Sequence, residues 1–206
     1  MADEEFGESL KLVESFVVRR SVCGIPTNPL NKLFIQLARN LPDKDCFSWL
    51  QHSLSALSGS SRFPKNAEFS SAFVKGPQYD GRATTRFILC RIEKFFGHKE
   101  IVDLSTATIE HVMPQTLSQE WIKELGSEAE DIHTRLVHTF GNLTLTAYNS
   151  ELGNLPFSEK KTKLENTHIE LSRSILQKEK WSAAEIEERA ESLLHIANRI
   201  WMSPSE

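Results

Sequence analysis

A carboxylate followed at once by an imidazole, Glu110-His111, stands in a stretch that Pro114 stops. On a strand, consecutive side chains leave on opposite faces, so this pair offers a hard oxygen ligand to one side and a proton acceptor to the other. A second block, Gly141-Asn142-Leu143-Thr144-Leu145-Thr146-Ala147-Tyr148-Asn149-Ser150, has one Asn where a strand would open and another seven residues on, where a helix would open. Lys160-Lys161 follows Pro156-Phe157 and supplies cations. A base, an oxygen-bound cation and a positive side chain are what phosphodiester hydrolysis requires: one activates water, one polarises the phosphate, and one meets the developing charge. Taken alone, a histidine in such a place is more often a satisfied structural residue.

These residues need a hairpin and helices to position them. Thr106 to Val112 alternates and is rich in β-branched residues, which predicts a strand, and Asn142 to Thr146 predicts a second one. Between them Leu117 to His138 has the spacing of an acidic amphipathic helix or helix pair, with Trp121, Ile122, Leu125, Ile132, Leu136 and Val137 facing inward. Tyr148 to Lys163 reads as a short helix, a Gly-Asn-Leu-Pro turn and a basic helix start. Ser182 with Glu185 is a capping box for a long last helix. The first hundred residues read as helix throughout. Leu10 to Arg20 is followed by a helix after Asn28-Pro29, a short one around Phe47 to Leu54, one over 66–74 and one over 84–96 that turns Phe87 and Ile88 toward the core. The expected fold is mainly α with a small β-hairpin, divided into a helical, basic subdomain at 1–100, a hairpin-bearing core at 101–180 and a packing helix at 181–206.

Composition excludes several classes of function. The apolar runs are too short to span a bilayer, and Met-Ala-Asp-Glu-Glu is acidic where an export signal would be basic and apolar, so a cytoplasmic protein is expected. Cys23, Cys46 and Cys90 are odd in number and widely spread, which argues against a disulfide framework or a cysteine zinc site. The net charge of −4 hides segments of −4 over residues 1–10, +7 over 11–100 and −7 over 101–206. A positive segment in an acidic protein suits attachment to a polyanion, with Arg19, Arg20, Arg82, Arg86 and Lys161 as the candidate DNA contacts; a set of solvated helix faces would give the same sum. Arg82 and Arg86 are four apart, so a helix would stack them on one face.

The ordered set Glu110-His111-x-x-Pro114, Gly141-Asn142-Leu143-Thr144-Leu145, Asn149, Asn154 and Pro156-Phe157-x-x-Lys160-Lys161 resembles the C-terminal HNH-type (His-Me finger) nuclease domain of GmrSD-like type IV restriction enzymes. The likeness extends more weakly into Val18-Arg19-Arg20 and Cys23-Gly24-Ile25-Pro26-Thr27, covering most of residues 10–180. It implies a ββα-metal finger carried on a helical domain and a divalent-metal-dependent DNA endonuclease of phage defence. It also implies a nucleotide-hydrolysing, modification-sensing domain or subunit N-terminal to this region, for which the chain has no Gly-rich phosphate loop. On that reading His111 is the general base, with a pKa near working pH. Glu110 and Asn149 hold one Mg²⁺ or Mn²⁺. The resemblance implies that Asn142 hydrogen-bonds across the connecting loop and orients His111, and that Lys160 approaches the phosphate.

His133 and His138 lie outside the matched motif and read as structural or solvent-facing; His52, His98, His168 and His195 have no partner pattern. Two other readings stay open: a catalytically silent DNA-binding or partner-docking helical module, and RNA cleavage on the same fold.

Overall fold

The computed structural model describes residues 3–97 and 102–204, so His98 lies outside the described residues. Its helices are α1 (Asp3–Val22), α2 (Leu30–Asn40), α3 (Cys46–Ser55), α4 (Asn66–Lys75), α5 (Arg82–Phe95), α6 (Gln119–Leu125), α7 (Ala129–Leu136), α8 (Asn149–Leu152), α9 (Phe157–Leu164), α10 (Glu170–Leu176) and α11 (Ala183–Ile200). The strands β1 (Thr108–His111) and β2 (Leu143–Thr146) form one antiparallel pair. The fold is therefore mainly helical with a small two-stranded sheet. None of the helices among the described residues is long and apolar enough to cross a membrane.

The chain divides into two compact units, one of residues 1–72 with 198–206 and one of residues 73–197. The divisions fall inside α4 and α11, so α5, expected in a basic subdomain at 1–100, groups with the hairpin.

In the first unit Leu12 and Phe16 of α1 pack with Leu33, Leu50, Leu54 and Phe63. Arg19 and Arg20 follow on α1, and neither is at the surface: they are 0% and 1% exposed. Arg19 donates through Nε to Trp201 O at 2.7 Å and through Nη1 to Asn66 Oδ1 at 2.6 Å, with its guanidinium over the Phe69 ring. Arg20 donates to the carbonyls of Pro26, Ser60 and Arg62 at 2.7, 2.9 and 3.1 Å. A fork of N–H donors can tie several loop carbonyls at once, and that is how these two arginines are spent. Their expected contact with DNA is corrected: a buried guanidinium has no access to a phosphate.

The second unit is built around the hairpin. The register pairs Thr108 with Thr146, Ile109 with Leu145, Glu110 with Thr144 and His111 with Leu143. Alternation then puts Thr108, Glu110, Thr144 and Thr146 on one face and Ile109, His111, Leu143 and Leu145 on the other. The first face meets α10 through Thr144 Oγ1 and Ser172 Oγ, 3.0 Å apart. The core beside it gathers Val112, Met113, Trp121, Ile132, Leu136, Phe157, Ile175, Trp181 and Ile186. Helix α10 has no counterpart in the sequence expectations; its opening N–H groups are met by the carboxylate of the buried Glu93 on α5, which accepts from Glu170 N at 2.8 Å and Leu171 N at 2.9 Å. The capping box at α11 is as expected, with Ser182 N donating to Glu185 Oε2 at 2.9 Å. On α5, Ile88 is buried, whereas Phe87 is 42% exposed rather than turned inward.

Candidate active site

The end of β1 is held by three devices, each from a different part of the chain. The first is Asn142. Its side chain is fully buried, accepts from Met113 N at 2.7 Å and Trp181 Nε1 at 3.0 Å, and donates to the carbonyls of Met113 and Val137 at 2.8 and 2.9 Å. All four hydrogen-bonding positions of the amide are used, which fixes its orientation and stitches the segment after His111 to the residues before β2. The expectation of a bond across the connecting loop describes this geometry.

Arg189 of α11 is the second device, and nothing in the sequence marked it. Its Nη1 donates to the carbonyls of Phe140, Gly141 and Leu143 at 3.0, 2.8 and 2.8 Å, and Nη2 reaches Leu171 O at 3.1 Å. These are the carbonyls flanking Asn142. Burial alone lowers the Arg189 pKa to about 9.

Third is a buried ion pair. Lys160 Nζ donates to Glu110 Oε1 at 2.6 Å and to His111 O at 2.8 Å, with side-chain exposures of 1% and 6% for the lysine and glutamate. Burial pushes the Glu110 carboxyl up and the Lys160 ammonium down, and their mutual attraction opposes both shifts. Lys160 was expected to approach a phosphate; it is enclosed and holds the backbone of His111 instead. Removing one partner of a closed pair leaves an uncompensated charge, so Lys160→Met should cost about 3–5 kcal/mol. Adding Glu110→Leu should recover most of it. Urea unfolding of the two single variants, the double variant and the parent chain checks this; a single substitution costing under about 1 kcal/mol would mean the pair is open to water.

His111 leaves β1 on the other face. It is 5% exposed, and Nε2 lies 3.1 Å from Nδ1 of His138. The Tyr79 ring stands edge-on to His111 at 4.4 Å between centroids and stacks on His138 at 5.5 Å with the planes 7° apart. Arg82, exposed at the start of α5, lies 4.9 Å above the Tyr79 ring. Burial, then the positive fields of His138, Lys160, His133 and Arg82, lower the His111 pKa to about 3. At neutral pH the imidazole is unprotonated, and the expected pKa near working pH is corrected downward: enclosure leaves His111 a weaker proton acceptor than a free imidazole. His138, expected on a helix as a structural or solvent-facing residue, lies beyond the end of α7 and turns into this cluster, while His133 donates through Nε2 to Pro114 O at 3.0 Å.

The other candidate DNA contacts separate. Arg86 donates through Nε to Ala107 O at 2.9 Å and through Nη2 to Leu104 O and, at 3.3 Å, to Ser105 O, so it anchors the segment entering β1. Lys161 donates to Lys178 O at 2.5 Å and lies over the Phe157 ring. Arg82 keeps its guanidinium at the surface.

The resemblance implies a divalent ion held by Glu110 and Asn149, and these are hard oxygen donors, although Glu110 is buried and already paired with Lys160. Asn149, at the opening of α8, donates through Nδ2 to Thr108 Oγ1 at 3.1 Å and Ile109 O at 3.0 Å, and its Oδ1 makes no hydrogen bond among the described residues. It is thereby bonded to Thr108, whose face of β1 also carries Glu110, and that glutamate has a second oxygen besides the one given to Lys160. Among the described residues no group of three or more His, Cys, Asp or Glu is placed to hold a metal. Two hard oxygens suit Mg²⁺ or Mn²⁺, which keeps most of its water.

Residues 63–196 match the family described as GmrSD restriction endonucleases, C-terminal domain. The chain belongs to that family. The match spans α4 to α11 and so contains the Asn142 clasp, the Glu110–Lys160 pair and the Tyr79–His111–His138 cluster of this GmrSD C-terminal domain. A search of curated proteins finds no match. The family is named for restriction endonucleases, which points to a nuclease acting on DNA.

Proposed function

We propose that this GmrSD C-terminal domain is a divalent-metal-dependent DNA endonuclease of the HNH type that nicks or cuts foreign or modified DNA in phage defence. The observation that carries the reading is His111 at the rigid end of β1: neutral at working pH, engaged through Nε2, and with no hydrogen bond on Nδ1 among the described residues. A water meeting Nδ1 gives up its proton as its oxygen attacks phosphorus, and the far P–O bond breaks. Arg82, exposed and lying over the Tyr79 ring that touches His111, meets the phosphate backbone. Glu110 and Asn149 would hold the ion, which supplies charge stabilisation on the scissile phosphate and leaving oxygen. Lys160 and Asn142 keep the backbone on either side of His111 in place. Choice of target falls to a nucleotide-hydrolysing, modification-sensing domain or subunit outside this chain.

Supercoiled plasmid incubated with the chain in Mn²⁺ or Mg²⁺ should relax, and chelator should stop it. Binding without relaxation in any metal would favour a silent docking module, and cleavage confined to RNA would favour the ribonuclease reading. Asn149→Ala should raise the Mn²⁺ concentration needed for half-maximal cutting, with activity returning at high Mn²⁺; a loss that no metal concentration relieves would assign Asn149 to holding Thr108 and Ile109 alone.

The arginines give a second test. Arg82→Ala should lower the slope of log affinity against log salt by about one, the value for one phosphate contact. Arg86→Ala should leave the slope alone and lower the melting temperature, since its donors serve Leu104, Ser105 and Ala107. Equal slopes in the parent chain and Arg82→Ala would remove Arg82 from the interface.

A further inference from the structure

His138 belongs to no part of the motif that identifies the family region by sequence, yet it is the residue that His111 touches with a ring nitrogen. The two imidazoles meet edge to face, with centroids 5.2 Å apart and planes at 77°. One of the facing nitrogens carries a proton and the other accepts it. If His111 takes a proton from water through Nδ1, then its own proton resides on Nε2 and is donated to Nδ1 of His138. The tautomer of His138 is then set as well, with its proton on Nε2.

We propose that His138 is a positioning residue for His111, locking it in the Nε2–H tautomer so that Nδ1 is held open toward the substrate. The inference rests on the reading of His111 as the base. The ring of His138 has contacts besides the one to His111. Tyr79 stacks flat on the His138 ring, and Gln78 N donates to His138 O at 2.8 Å, so the connection between α4 and α5 fixes both the ring and the backbone of residue 138. A neutral acceptor does the work here because the neighbourhood already holds Arg82 and Lys160, and it leaves the base uncharged before reaction. The second ring nitrogen of a working histidine is commonly fixed in this way by a partner.

Two substitutions separate positioning from packing. His138→Phe keeps the stack on Tyr79 and removes the acceptor, while His138→Gln returns an oxygen that can accept. On a DNA substrate, His138→Phe should lower kcat by about 10²-fold with KM unchanged, the scale of a misoriented catalytic group. His138→Gln should recover about tenfold of that, the worth of one hydrogen bond. Nitrogen-15 ring spectra of His111 at neutral pH, in the full chain, supply a readout that needs no cleavage. They should show one tautomer, protonated at Nε2, in the parent and a mixture in His138→Phe. Unchanged kcat in His138→Phe, or an unchanged tautomer, would overturn the proposal; so would equal losses in both variants accompanied by equal drops in melting temperature. If His138→Phe does not fold, the tautomer and kcat of His138→Gln against the parent decide it by the same criteria. A chain that cuts no nucleic acid in any metal, but in which His138→Phe scrambles the tautomer, would remove the endonuclease reading and keep the positioning.

Discussion

Cleavage should fall by about 10² to 10⁴-fold in His111→Ala, the contribution of a positioned base, while DNA affinity and the salt dependence of binding stay as in the parent chain. A base acts on the transition state and adds little to ground-state binding, so the loss should appear in kcat and kcat/KM together. His111 is nearly enclosed, and truncating it also removes the edge contact with Tyr79. His111→Gln, closer in size, should therefore be measured beside it, with thermal melting for both. Plasmid relaxation by His111→Gln at near-parental rate would end the assignment of the base.

Gly141→Ala should be strongly destabilising, because the space its methyl group needs is already occupied. A methyl group at this position would run into the carbonyl oxygen of Ile186, and would lie 3.0 Å from the carbonyl carbon and Cγ2 of the same residue. The obstacle is the backbone of α11, which cannot rotate aside as a side chain can, so either the helix or the loop must move. Moving either one parts Arg189 from the carbonyls of Phe140, Gly141 and Leu143. The cost should reach about 3 kcal/mol, the upper end of ordinary overpacking. A urea midpoint matching the parent would show that α11 and the loop are farther apart than described, whereas a large drop, together with lost cleavage, ties the hairpin to that helix.

The hairpin was legible because strand alternation, a terminating proline and a Gly-Asn turn are local signals. The opening of α8 at Asn149 and the capping box of α11 were legible for the same reason, whereas the role of Asn142 came only from the family resemblance, its partners Met113 and Trp181 being distant in sequence. What escaped was set by burial and by pairing across the chain. Charge sums count Arg19, Arg20 and Arg86 as surface cations, but each one binds main-chain carbonyls, and a sum over a segment cannot distinguish the two uses. Lys160 and Lys161 are adjacent, and helical geometry turns one inward to Glu110 and the other toward the Lys178 carbonyl; nothing in a Lys-Lys pair says which is which. His138 and Tyr79 meet His111 from distant points in the sequence, Tyr79 out of a loop with no periodicity at all. Helix α10 went unread because its start is capped by Glu93, far upstream on α5.

The position of Arg189 and Trp181 in the chain also sets an order of events during synthesis. A ribosome delivers Glu110, His111 and Asn142 well before the tryptophan that bonds the Asn142 oxygen and the arginine that gathers the carbonyls around it. Until Arg189 emerges, the carbonyls of Phe140, Gly141 and Leu143 lack their buried donor, and until Trp181 emerges Asn142 Oδ1 has only Met113 N. A nascent chain therefore carries Glu110, His111 and Asn142 before it can hold them in register, and the frame around the end of β1 closes only as α11 docks.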